Sequence, residues 1–371
     1  MDNNGTAGYC NKMYYLLLLV MLGSFGVENS TRAVETPIKF PDKGVILTII
    51  DQQGKSKSIK NIKDWQKKRE IILKNLQRVM GALPGPDVVV PLDIQVLQVK
   101  EEPDYIRKKI TYTAEKGDRV PAYLMIPKKL KNKNPAMLCL HQTIKIGKDE
   151  PAGLGGISDL HYAKELTERG YITIIPDYMY FGENNYDPYK HGYSSATMKG
   201  IWNHKRAIDV LVSLPEVDAN RIGCIGHSLG GVNTVFVACF DPRIKVIVVS
   251  CGFGSFYSYY NSPDIEGWSS KYYMPRIASM YHNHPSEMPF DFTDIVATLA
   301  PRPFFGNATL KDGYFHYDGV KHCVDSVKPV YKLFNAEEKF ITVTPDCEHS
   351  FPPDSRTKAY QFIDRYLKPN R

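Results

Sequence analysis

Hydrophobic positions fall into two rhythms along the chain. In the first, residues 61–83 carry Trp65, Ile71, Ile72, Leu76, Val79 and Met80 at helical spacing, and Pro84-Gly85-Pro86 stops the run. Segments 92–99, 107–114 and 120–127 then have strand character with no helix between them, so they are expected as antiparallel neighbours at one sheet edge. After them, strand and helix alternate. Strands are expected at 136–140, 171–175, 221–225, 245–250, 304–305 and 339–344. Helices are expected at 161–169, 198–214, 231–239, 320–334 and 355–367. Such alternation predicts an α/β fold, a mostly parallel sheet with helices on both faces and binding groups at the carboxyl ends of its strands. One domain over 34–371 is expected, with 34–90 as an N-terminal helical extension and 252–291 as a lid or cap insert.

The amino terminus departs from this pattern. Lys12 precedes an apolar run over 13–25, and small or polar residues follow to Thr31-Arg32-Ala33. A basic segment, a short apolar core and a cleavage-like site predict a signal peptide over 1–33, because the run is too short for a membrane span. An uncleaved signal anchor is the alternative. The expected location is secreted or periplasmic, without stable membrane association after cleavage.

Composition then narrows the partners. A net charge of +7 over 371 residues is mild, and the densest basic run, 128–133, contains no aromatic residue. It is expected as a solvated tip between two strands, and no nucleic-acid partner is expected. Of seven cysteines, Cys139, Cys224, Cys239 and Cys251 sit in apolar patterns and read as free and buried. Spacing leaves open whether Cys323 and Cys347 pair.

Candidate chemistry centres on Gly226-His227-Ser228-Leu229-Gly230. The apolar residues before it and the helical pattern after it make this a strand-turn-helix junction, the setting of a nucleophile elbow. Glycines flank the serine because a Cβ there collides with the neighbouring strand and helix. Serine needs a base to take its proton and an acid to orient that base. In this topology they follow the serine in the order acid, then histidine. Asp312 lies in a short loop after the strand at 304–305, and His349 lies in the loop after the last strand. Asp312 is preferred over Asp318, Asp325 and Asp346 because it alone lies within a short loop of its strand. The oxyanion donors are expected to be the backbone N–H groups of Leu229 and Gln142, with Thr143 as the second choice for the latter. His141 and Asp177 are expected to be structural.

Other features carry less. His282-Asn283-His284 lacks a third ligand at metal-site spacing, so it reads as a solvated loop. The aromatic residues of 253–273 suit either packing of the insert or a cleft that stacks on rings. Tyr178, Phe253, Trp268 and Tyr273 are the expected substrate contacts. Arg276 suits an ion pair or a substrate carboxylate.

Taken together, His141-Gln142-Thr143, Pro176-Asp177-Tyr178, Gly226 to Gly231, Ala300-Pro301-Arg302-Pro303 and Glu348-His349-Ser350-Phe351 resemble the α/β-hydrolase superfamily. Within it the chain is similar to the dienelactone-hydrolase-like and acetyl-xylan-esterase-like branch. Two departures qualify the resemblance. Dienelactone hydrolases use a cysteine nucleophile, and glucuronoyl esterases carry arginine after the nucleophile, where this chain has Leu229. The resemblance implies an exported serine hydrolase cleaving carboxylic esters through an acyl-enzyme. It needs no metal or organic cofactor, and its substrate is a small-molecule or polysaccharide ester. A serine peptidase or amidase, and a catalytically silent hydrolase fold used for binding, are the rival readings.

Overall fold

The computed structural model describes residues 44–51, 53–130, 132–260 and 264–368. The predicted signal peptide lies outside the described residues. Two short strands, β1 (Thr48–Ile50) and β2 (Ser56–Ser58), pair as an antiparallel hairpin. Helix α1 (Ile62–Met80) follows, started by Asn61, whose side chain accepts the Asp64 N–H. Trp65, Ile72, Leu76 and Val79 form its buried stripe, as their spacing predicts.

The main sheet has nine strands. Strands β3 (Gln95–Glu101), β4 (Tyr105–Glu115) and β5 (Asp118–Pro127) make an antiparallel meander at one edge. The others are β6 (Asn134–Leu140), β7 (Ile172–Pro176), β8 (Val217–His227), β9 (Ile244–Ser250), β10 (Phe304–Asn307) and β11 (Phe340–Val343). Across the sheet they run β3-β4-β5-β7-β6-β8-β9-β10-β11. From β7 to β11 every pairing is parallel.

Helices cover both faces because the central strands are apolar on both. In β6 all seven residues are buried. Ala136, Leu138 and Leu140 join a core shared with α1, α3 (Ala196–Ser213), α4 (Leu229–Phe240), α6 (Phe292–Ala297) and α7 (Tyr317–Leu333). Met137 and Cys139, one residue out of phase, face α2 (Tyr162–Glu168) and α8 (Pro353–Leu367). Period-two alternation sorts the side chains between the two cores. Full burial of each large aliphatic side chain contributes about 1.5–3 kcal/mol before chain entropy is counted.

Between β9 and α6 the described residues are mostly irregular, with short 3-10 turns and one short α-helix, α5 (Arg276–Tyr281). Phe256 and Trp268 anchor this stretch. Their rings meet at 5.6 Å, and Trp268 also meets Phe292 of α6 at 5.6 Å.

Candidate active site

The carboxyl ends of β6, β8, β10 and β11 open onto the loops that carry the candidate chemistry. Ser228 stands between β8 and α4 with φ 54° and ψ −120°, a backbone region that side-chain-bearing residues rarely adopt. Two close approaches hold it there. A Cβ on Gly226 would strike the Gly230 carbonyl, and one on Gly230 would strike the Leu140 carbonyl. Glycine at both positions is therefore a steric requirement, as the motif predicts. The packing of Gly230 on Leu140 and His141 also sets the start of α4 against the loop after β6.

Asp312 and His349 come together although 37 residues separate them. His349 Nδ1 lies 2.9 Å from Asp312 Oδ2, and the carboxylate is almost wholly buried. Burial pushes the Asp312 carboxyl up. The hydrogen bond and charge of His349, with the Tyr314 and Phe315 N–H groups, outweigh burial and hold it below the ordinary carboxylate range. An ionised Asp312 accepts a proton-bearing Nδ1, which leaves His349 Nε2 as the basic nitrogen. That atom is buried and has no hydrogen-bond partner among the described residues. The His349 ring packs 4.7 Å from the ring of His227, the residue before Ser228.

The expected oxyanion donors lie where the sheet and α4 meet. The Leu229 N–H begins α4, and the Gln142 N–H follows β6; neither has a hydrogen-bond partner among the described residues. The His141 ring pins this loop. Its Nε2 accepts the Tyr178 N–H at 3.0 Å, and its Nδ1 lies 2.6 Å from the Gln142 carbonyl. Burial lowers the His141 pKa, so the ring is neutral and Nδ1 carries the proton toward that carbonyl. Asp177 is likewise structural. Its carboxylate accepts the Lys148 N–H and Nζ, both at 2.8 Å, and the Glu183 N–H at 2.9 Å.

The expected substrate contacts divide. Phe253 and Trp268 are only 1% and 2% exposed and belong to the core, so neither reaches a substrate. Phe253 meets Phe304 at 5.3 Å, which is packing rather than a cleft wall. Tyr178 is also buried, packed with Leu229 and Met179, and its hydroxyl donates to the Tyr272 carbonyl. Tyr273 is half-buried, and its ring packs 5.1 Å from that of Trp268. Arg276 has no ion-pair partner among the described residues; it donates to the Arg78 carbonyl at 3.0 Å. His282 pairs with Glu287 on the surface, and Cys323 and Cys347 are both free.

Sequence reasoning missed the polar groups that hold the histidine loop. Asn307, wholly buried at the end of β10, donates from Nδ2 to the Ser350 carbonyl at 2.9 Å and to Ser250 Oγ at 3.0 Å. Ser250 Oγ lies in turn 2.9 Å from His227 Nδ1. Burial, and then the charge of His349, depress the His227 pKa, so this ring stays neutral. The available signal was a polar residue closing each of two apolar strands, Ser250 on β9 and Asn307 on β10.

One group of three metal-ligating side chains occurs among the described residues: Cys251, Asp312 and His349, with donor atoms within 4.8 Å of one another. Burial pushes the Cys251 thiol far up, and Asp312 and His349 are already bonded to each other. This donor set suits the acid–base pair better than an ion.

Comparison with known proteins bears on the fold and the class of enzyme. A family model described as "Glucuronyl esterase, fungi" matches residues 181–335, a stretch that holds Ser228 and Asp312. A glucuronoyl esterase from Solibacter usitatus superposes with a TM-score of 0.68 at 18% identity, over 86% of this chain and 96% of that one. The chain has the α/β-hydrolase fold. It is also 25% identical over 305 residues to YtaP of Bacillus subtilis, a protein named as a putative hydrolase; the match covers 79% of this chain and 98% of that protein. A 4-O-methyl-glucuronoyl methylesterase of Wolfiporia cocos is 22% identical over 191 residues, 47% of each chain.

Proposed function

We propose that this carboxylic ester hydrolase acts as an exported serine esterase on acyl groups carried by carbohydrate. The observation that carries the reading is the Asp312–His349 pair, whose imidazole packs on His227, the residue before a serine in a strained elbow. Ser228 Oγ attacks the acyl carbon while His349 Nε2 takes its proton. Asp312 steadies the imidazolium, and the Leu229 and Gln142 N–H groups receive the negative oxygen, each such donor being worth about 10²–10³-fold in rate. The imidazolium then protonates the departing alcohol. Water, activated by the same nitrogen, releases the acid from the acyl-enzyme.

Residues 1–33 act in this reading as the export signal and 252–291 as a cap over the site. The substrate class draws on the named relatives. Their esters place a uronic acid on the acyl side, whereas Leu229 supplies no cation beside the nucleophile here. Acetyl groups on sugars therefore fit better than uronoyl esters. Acetylated xylo-oligosaccharides assayed beside methyl and benzyl esters of glucuronic acid separate the two. The expected result is faster release of acetate, abolished in Ser228→Ala. Preferential cleavage of the glucuronate esters would overturn the choice of acyl group.

A further inference from the structure

The insert after β9 buries Phe253, Phe256, Trp268, Tyr281 and Phe290, but its Tyr260 and the acid loop's Tyr314 are left open. Tyr260 is 49% exposed and Tyr314 is 41% exposed. Their rings stand nearly perpendicular, 88° apart, with centroids 5.0 Å from each other. Tyr314 also lies edge-to-face against the His349 ring at 4.7 Å.

Backbone hydrogen bonds define the placement. The Tyr314 N–H donates to Asp312 Oδ1 at 2.8 Å, so the tyrosine is fixed to the acid that orients His349. The Tyr260 N–H donates to the Tyr314 carbonyl at 3.0 Å, and Tyr259 bridges to Phe315. Behind the exposed corner, Tyr259 backs Tyr260 at 4.6 Å and rests on Trp268 at 5.1 Å. The insert and the acid loop are thereby stitched together, with two phenol rings facing water.

Position tells which part of an ester meets them. When the acyl-enzyme forms, the leaving oxygen takes a proton from His349 Nε2, which requires a separation of about 3 Å. Whatever that oxygen is attached to must lie beside the imidazole, where Tyr314 borders it. The acyl group sits on the other side of the reacting carbon, toward the oxyanion donors.

We propose that Tyr260 and Tyr314 form a subsite for the sugar ring of the departing alcohol. This rests on the esterase reading above. A pyranose matches such a corner: its C–H face packs on one ring while its hydroxyls meet the phenol oxygens. A short alkyl alcohol reaches neither.

The test compares two esters with the same acyl group, a monoacetylated methyl xylopyranoside and ethyl acetate, by titrating the acid released. Tyr260 is the position to vary because its ring meets Tyr314 and Tyr259 edge-to-face and makes no ring contact with His349. Tyr260→Ala is expected to lower the ratio of kcat/KM for the sugar ester over ethyl acetate about fivefold, through KM on the sugar ester. Tyr260→Trp is expected to restore it. A ratio within twofold of wild type in Tyr260→Ala overturns the subsite while leaving the esterase reading intact. A wild-type protein that cleaves neither ester overturns both.

Discussion

His349 Nδ1 faces Asp312 Oδ2 at 2.9 Å, and this single hydrogen bond decides which imidazole nitrogen is free for chemistry. Asp312 is ionised and buried, so the proton stays on Nδ1. Changing Asp312→Asn keeps the shape but places an amide against that nitrogen, favouring the wrong tautomer. The expected loss in kcat is about 10³-fold or more at pH 7 with a smaller change in KM, measured by ester hydrolysis. A loss below tenfold would mean that another acid orients the ring.

Asn307 holds the histidine loop from below, through the Ser350 carbonyl and Ser250. Asn307→Ala frees that carbonyl while leaving Asp312 and Ser228 untouched. The expected effect is a fall in kcat of about tenfold, or about 1.4 kcal/mol in the barrier, with KM little changed. Ser250→Ala should act in the same direction.

Backbone contact at the elbow predicts a sharper outcome. Gly230→Ala forces a methyl group into the Leu140 and His141 carbonyls. No side chain can rotate away to relieve this, so the cost should exceed about 4 kcal/mol. Thermal or denaturant unfolding should show the loss directly, or the variant should not fold.

Acid should destabilise the fold through histidines buried as neutral rings. Burial depresses His204 from 6.5 to about 3, and it also lowers His141 and His227. The unfolded chain takes up protons below pH 6.5 that the folded chain refuses, so stability is present above that value and falls as pH drops toward 3. His204 contributes about 1.4 kcal/mol per pH unit in that window, and His141 and His227 add to the decline in the same direction. Urea titrations between pH 7 and 4.5 should show the decline, and His204→Gln should make it shallower.

Much of this architecture is legible in the sequence because the burial is periodic. Strands buried on both faces leave unbroken apolar runs, and helices on each side leave amphipathic ones, so β6 to β11 and α2, α3, α4, α7 and α8 can be placed from the pattern alone. The β1–β2 hairpin escaped notice because three-residue strands carry too few positions to show a period. Helices α5 and α6 are six residues each, under two turns, with the same weakness.

Legibility at the site follows the same division. Ser228, Asp312 and His349 can be found because strained turns and strand-end loops mark their places. The roles of Phe253, Trp268 and Tyr260 cannot, because an aromatic residue has the same letter in a core or on a rim. Only the folded chain shows that the first two are enclosed while Tyr260 faces water.

The central claim is that Ser228 is the nucleophile served by His349. Mass spectrometry after treatment with diethyl p-nitrophenyl phosphate tests it most directly. The account predicts one phosphoryl adduct on the peptide holding Ser228, formed in the native protein and strongly slowed in His349→Ala. An adduct at another residue, or none in the folded protein, would contradict it.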